Sequence, residues 1–163
     1  MKKIITGCLL AFTVACSAQN KDSTMSEQFP IQKTNDQWKA ELSVDEYRIL
    51  REAGTERPGT GKYYHHHEDG TYTCAGCGNE LFLSEHKYES GSGWPSFDRA
   101  LQKGAVVEKK DESLGMTRIE VVCARCGGHL GHVFNDGPRE TTGMRYCINS
   151  AALDFEEQDT AQK

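Results

Sequence analysis

The chain's apolar positions recur first at helical and then at strand spacing. Ser43-Val44-Asp45-Glu46 has the form of a capping box, with Ser43 as N-cap and Glu46 at the third helical position. Leu42 with Tyr47 fits the flanking hydrophobic staple, and Tyr47, Leu50 and Ala53 keep helical spacing up to Gly54. One helix of about three turns is predicted there. Past Gly54 the apolar runs shorten and are broken by Gly, Asn, Asp and Pro. They predict strands at residues 71–74, 81–83, 105–108, 117–123, 133–134, 145–149 and 151–155, a mainly antiparallel β domain. Two strands carry readable alternation. Ile119 and Val121 share one face while Arg118 and Glu120 share the other, and Tyr146 and Ile148 oppose Arg145, Cys147 and Asn149.

The N-terminus follows a different pattern. Lys2 and Lys3 precede an apolar run from Ile4 to Ala15 that has signal-peptide length and is too short to span a bilayer as a permanent helix. Thr13-Val14-Ala15-Cys16 resembles the lipobox of bacterial lipoproteins, in which the cysteine is acylated and becomes the new N-terminus; ordinary cleavage after Ala18 is the rival reading. Either route exports the protein to the bacterial cell envelope, and the lipobox route gives it a lipid at Cys16 as its membrane contact. Residues 17–37 are polar and poor in apolar side chains, the composition of a tether. The expected organisation is a signal segment (1–15), a tether (16–37), a folded domain (38–157) and a tail (158–163).

Composition fits one globular domain of modest core: 163 residues, 16 Gly, 4 Pro and 9% aromatics, so cross-links would help hold it. Without Lys2 and Lys3 the chain has 17 basic against 24 acidic side chains, a net of −7. That balance argues against a nucleic-acid binder, whose phosphate contacts need a basic surface.

The seven cysteines sort into groups. Cys74-Ala75-Gly76-Cys77-Gly78 and Cys123-Ala124-Arg125-Cys126-Gly127 are two Cys-x-x-Cys-Gly knuckles. Such turns aim two sulfurs at one ion, and the following glycine tolerates a positive φ. Together they form a tetrahedral four-cysteine site suited to zinc, against the alternative of two disulfides in an oxidising compartment. Cys8 leaves with the signal segment and Cys16 is the lipid candidate, so Cys147 remains, either a buried hydrophobe or a reactive thiol. Its strand places it between Arg145, which would stabilise a thiolate, and Asn149, which could donate a hydrogen bond. His129 and His132 lie just past the second knuckle as acid–base groups, extra ligands or surface residues. His65-His66-His67 reads as a solvated loop, and Trp94, in Gly91-Ser92-Gly93-Trp94-Pro95, as a cleft wall.

Five blocks in order, TERPGTGKY (55–63), GTYTCAGCGNELF (70–82), SGSGWPSF (90–97), LGMTRIEVVCARCGGHLGHVFNDGP (114–138) and RYCINSAAL (145–153), resemble the methionine sulfoxide reductase B family. The resemblance implies two antiparallel sheets with small N-terminal helices, a structural zinc on Cys74, Cys77, Cys123 and Cys126, and Cys147 as catalytic nucleophile. It further implies that His129 and His132 supply or relay a proton to the sulfoxide oxygen, with Asn149 and Arg145 supporting them and lowering of the thiol pKa by Arg145 and the histidines. Trp94 would hold the substrate methyl group, with Phe134 nearby. Many members carry a resolving cysteine where this chain has Ser92, which implies recycling by an external thiol or a thioredoxin-like partner. Many also carry an aromatic where this chain has Gly59. The competing reading is a zinc-stabilised exported module that binds a protein without catalysis.

Overall fold

The computed structural model describes residues 29–158. The signal-like run, Cys16, the first part of the expected tether and residues 159–163 lie outside the described residues. Two short helices come first. α2 (Val44–Glu52) has the expected cap: Ser43 accepts from the Glu46 amide and Glu46 reaches back to the Ser43 amide. Its left-handed C-terminal residue is Ala53 (φ 51°), not Gly54. Gly54 serves close approach instead, because a Cβ there would lie 2.8 Å from the Arg48 carbonyl oxygen.

The boundary at Trp38 needs correction. α1 (Asn35–Glu41) starts inside the segment read as tether, capped by Thr34 with Gln37 in a second capping box. The polar composition concealed it, since the helix has one buried residue, Trp38. Further upstream, the Ile31 amide donates to Arg125 O at 2.8 Å, so the chain is already tied to the second knuckle there.

Nine strands follow among the described residues: β1 (Gly70–Cys74), β2 (Glu80–Leu83), β3 (Lys87–Tyr88), β4 (Ser96–Phe97), β5 (Val106–Asp111), β6 (Arg118–Cys123), β7 (His129–Phe134), β8 (Arg145–Ile148) and β9 (Leu153–Glu157). They form a three-stranded sheet, β2-β1-β9, and a six-stranded sheet, β3-β4-β8-β7-β6-β5, antiparallel throughout. The mainly β class with two antiparallel sheets is therefore as expected. The core lies where the sheets and α2 meet: Phe82 stacks on Phe97 with centroids 4.4 Å apart, Tyr72 meets Phe97 edge-on, and Ile49, Leu130, Ile148 and Leu153 are fully buried. The two-residue strands β3 and β4 are too short for a periodicity signal, and residues 150–152 form a single 3-10 turn before β9.

β7 is the instructive strand. Only 133–134 was expected, because Gly131 read as a break; the strand runs from His129. Gly131 sits mid-strand because a Cβ on it would overlap the Cys147 carbonyl on β8. The pairing with β6 slips at Leu130: Val121 faces Gly131 while Val122 faces His129. This bulge interrupts the two-residue alternation, burying Leu130 while bringing His129 and His132 to the same side with ring centroids 5.5 Å apart. The alternation read for β6 holds for Val121, which is fully buried, but Ile119 is 36% exposed because its end of the sheet extends past the core.

Backbone crowding at Gly131 sets a stability expectation. Gly131→Ala should cost about 1–3 kcal/mol by overpacking β7 against β8, read as a lower urea midpoint in equilibrium unfolding; an unchanged midpoint would mean that the strands separate freely.

Candidate functional site

The four knuckle sulfurs lie within 4.8 Å of one another, with Cys74 to Cys126 at 3.7 Å and Cys77 to Cys123 at 3.6 Å. Zinc–sulfur bonds of about 2.3 Å give a tetrahedral edge near 3.8 Å, so this spacing suits one ion. All four cysteines are free, and their gathering about one centre fits the metal reading better than two separate disulfides. Each knuckle closes with its glycine amide donating to the first cysteine's carbonyl (Gly78 to Cys74 and Gly127 to Cys123, both 2.8 Å), at φ 64° and 67°. The Arg51 guanidinium donates to Cys126 O at 3.0 Å, and Leu50 rests on both knuckles, where a Cβ on Gly76 or Gly128 would meet it at 3.3 or 3.0 Å. Three buried thiols and one half-buried one, so close together, need a cation between them to ionise.

A second site lies on the polar face of the large sheet. Cys147 on β8 pairs directly with His132 on β7, and Arg145 with Phe134. Side chains opposite each other in an antiparallel pair share a face. They border a cavity of about 130 Å³ walled by Thr55, Trp94, Arg118, Gly131, His132, Phe134, Cys147 and Asn149. Trp94 is thus a cleft wall, fixed by its indole N–H donating to Glu56 O at 3.2 Å. Phe134 is clamped by Arg145, whose guanidinium centre lies 4.4 Å from the ring and which grips Asp136 through two hydrogen bonds of 2.9 and 2.8 Å. The cavity is apolar on the Trp94 and Phe134 side and polar on the His132 and Asn149 side.

His129 lies outside the cavity walls, behind His132: it is 5% exposed, with Nδ1 2.6 Å from Glu120 Oε1 and a buried Nε2 without a partner among the described residues. His132 Nε2 is 2.8 Å from Asp111 Oδ2. Asn149 is buried and its amide is committed: Oδ1 accepts from the Glu56 amide and Nδ2 donates to Leu130 O, both at 3.0 Å. It therefore shapes the cavity. Burial pushes the Cys147 thiol above its ordinary pKa, outweighing the Ser92 hydroxyl 3.7 Å away and the positive charge of Arg145, which act in the opposite direction. The net lowering expected for this thiol is thus reversed by desolvation.

Two residues escaped sequence reasoning. Glu56 pins the 55–62 loop over β8, accepting from the Ser150 and Ala151 amides at 2.6 and 3.2 Å. Arg118 was placed on a polar strand face, which proves to be the cavity face. Ser92, the position at which the resemblance implied a resolving cysteine in many members, hydrogen-bonds Ser90 at 2.9 Å and Cys147 at 3.7 Å, brought there by the β4–β8 pairing that sets Ser96 against Cys147. Gly59 is not in the wall; it takes φ 74° and its amide donates to Gly93 O at 2.7 Å. The histidine run splits: His65 and His67 are exposed beside Glu89, whereas His66 bonds the Tyr72 hydroxyl at 2.9 Å and packs on Phe155.

The SelR domain family matches residues 42–157. A Leptospira interrogans protein named peptide methionine sulfoxide reductase MsrB is 55% identical over 130 residues, covering 80% of this chain and 98% of its own. Proteins of the same name from Thiobacillus denitrificans (58% over 127 residues, 78% of this chain and 96% of the relative) and Methanosarcina mazei (53% over 137 residues, 83% and 97%) are also similar.

The raised thiol pKa has a direct readout. Site-resolved alkylation of Cys147 by iodoacetamide should climb with pH to a midpoint above the roughly 8.5 of a free cysteine, and Ser92→Ala should move it higher still. A midpoint below that of free cysteine would contradict the dominance of burial.

Proposed function

The chain belongs to the methionine sulfoxide reductase B family, which carries the SelR domain, and on that footing we propose that it reduces the R epimer of methionine sulfoxide, peptide-bound or free, to methionine. The observation that carries this reading is the β7–β8 register, which sets a titratable imidazole, His132, opposite the Cys147 thiol at one cavity wall. The thioether and methyl group of the substrate pack on Trp94 and Phe134. The Cys147 thiolate attacks the sulfoxide sulfur, His132 delivers a proton to the oxygen, and that oxygen ends on the cysteine as a sulfenic acid while the sulfide leaves. The sulfoxide gains two electrons and Cys147 loses two. His129 orders the rear of His132, Arg145 stabilises the thiolate, and Asn149 holds the 55–62 loop over the site.

An external thiol or thioredoxin-like partner then condenses with the sulfenic acid, releasing water, and a second thiol restores Cys147. The hydroxyl of Ser92 borders Cys147 where a second thiol would be needed for an internal disulfide, and the other four cysteines among the described residues belong to the metal cluster. We assign zinc to that cluster from its four thiolate donors; bound there, it supplies a cross-link and no reaction chemistry. The lipobox-like Thr13-Val14-Ala15-Cys16 supports export to the bacterial envelope with a lipid on Cys16, a reading that incorporation of a palmitate analogue, lost in Cys16→Ala, would test.

Cys147→Ser should abolish reduction of a methionine sulfoxide peptide by dithiothreitol while one zinc per chain and the far-ultraviolet circular dichroism persist. Persistent turnover would remove Cys147 from the reaction and leave the protein-binding reading in its place. Peroxide followed by dimedone should tag Cys147 as a sulfenic acid; an internal disulfide in its place would contradict recycling from outside. Stripping the metal with a strong chelator should lower the melting temperature sharply, because structural zinc contributes on the order of 10 kcal/mol to folding, and an unshifted melting curve would refute the structural metal.

A further inference from the structure

The mechanism above leaves unused a line of charge behind His132. Register sets Asp111 on β5 opposite Arg118 on β6, Glu120 on β6 opposite His132 on β7, and His132 opposite Cys147 on β8, so one polar band crosses four strands to the thiol. At its outer end both Asp111 oxygens are engaged. Oδ2 accepts from Arg118 Nη2 at 2.6 Å and faces His132 Nε2 at 2.8 Å, while Oδ1 accepts from the Ser113 amide at 2.9 Å. The side chains of Asp111, His132 and Arg118 are 16%, 14% and 24% exposed, so water screens this chain weakly. Hydrogen bonds from Ser113 and His132, with the Arg118 charge, hold Asp111 well below the usual carboxylate range. An ionised carboxylate accepts only, so the nitrogen facing it must carry the proton.

Resting on the reductase reading, we propose that Asp111, steadied by Arg118, is a positioning residue for sulfoxide reduction: it fixes His132 with a proton on Nε2 and balances the imidazolium charge, leaving Nδ1 to pass the reacting proton. The proton count closes. A thiol beside a neutral imidazole carries as many protons as a thiolate beside an imidazolium, so one transfer from Cys147 to His132 arms both groups, and delivery to the sulfoxide oxygen returns the imidazole to neutrality.

The charged and titratable groups around His132 are Asp111 from β5, Arg118 and Glu120 from β6, His129 on its own strand, and Cys147 with Arg145 on β8. Burial lowers the His132 pKa and the Asp111 hydrogen bond opposes that lowering. With the Cys147 thiol pushed up, the kcat/KM profile has a plateau between the two groups, and its acid limb belongs to His132. Taking away the Asp111 charge lowers His132 further, so the acid limb moves down while the plateau falls by the same factor, about tenfold for each pH unit.

The experiment compares the zinc-loaded wild-type protein with Asp111→Asn and Asp111→Glu in turnover of a methionine sulfoxide peptide across pH, alongside long-range ¹⁵N–¹H correlation spectra of the wild-type histidines. The expected result has three parts: an Asp111→Asn plateau lower by about tenfold with its acid limb about one unit lower; recovery of most of the loss in Asp111→Glu; and a wild-type His132 protonated on Nε2. A variant profile that overlays the wild type, a rate loss without limb movement, or a wild-type His132 protonated on Nδ1 would overturn the proposal. The spectra decide it even if the Asn variant fails to fold. Absence of turnover by the folded, zinc-loaded wild type would instead reject the reductase reading, which separates the two failures.

Discussion

The chemistry of this molecule depends on one backbone pairing, that of β7 with β8. It sets His132 opposite Cys147 and Phe134 opposite Arg145, so an imidazole, the thiol and an aromatic wall arrive together once two strands align. The pairing is tight because Gly131 lets the Cys147 carbonyl come close, and Leu130 and Ile148 anchor it in the core. A slip of one residue would turn Cys147 into the core and Ile148 into the cavity, so burial of the apolar face enforces the register of the reactive one.

The metal cluster extends that constraint across the protein. Cys74 ends β1 of the small sheet, Cys123 ends β6 of the large one, and Cys126 stands three residues before β7. An ion bound among them would join the two sheets at the edge from which β7 departs. Trp38, Leu50 and Arg51 from the helices cover this joint, which explains why so small a core can hold a precise site. Opposed effects act on the thiol itself: burial keeps it protonated and protected, while Ser92 and Arg145 favour the thiolate.

The elements with local signatures were legible. The capping box at Ser43, the paired knuckles with their glycines, and the face shared by Arg145 and Cys147 depend on neighbours within a few residues, and each stands as read, whereas Asn149 lies past the end of β8 at the start of the 150–152 turn. What the sequence concealed depends on distant partners or interrupted periodicity. The start of β7 was hidden by Gly131 and by the bulge at Leu130 that brings His129 and His132 together. Glu56 reads as an ordinary loop acid until β8 and the 150–152 turn lie beneath it. α1 was missed because a helix with one buried residue has no apolar stripe, although Thr34 and Gln37 carried its cap signature. The thiol pKa was misjudged for the same reason, since charges along a strand can be read locally and burial cannot.

A cavity with a thiol, an imidazole and two aromatic walls in fixed positions should reduce a methionine sulfoxide of one hand. The most direct measurement is turnover of separately prepared R and S epimers of a methionine sulfoxide substrate by the zinc-loaded protein with dithiothreitol. The R epimer should be converted completely with the S epimer left intact. Equal consumption of both, or of neither by folded protein, would contradict it.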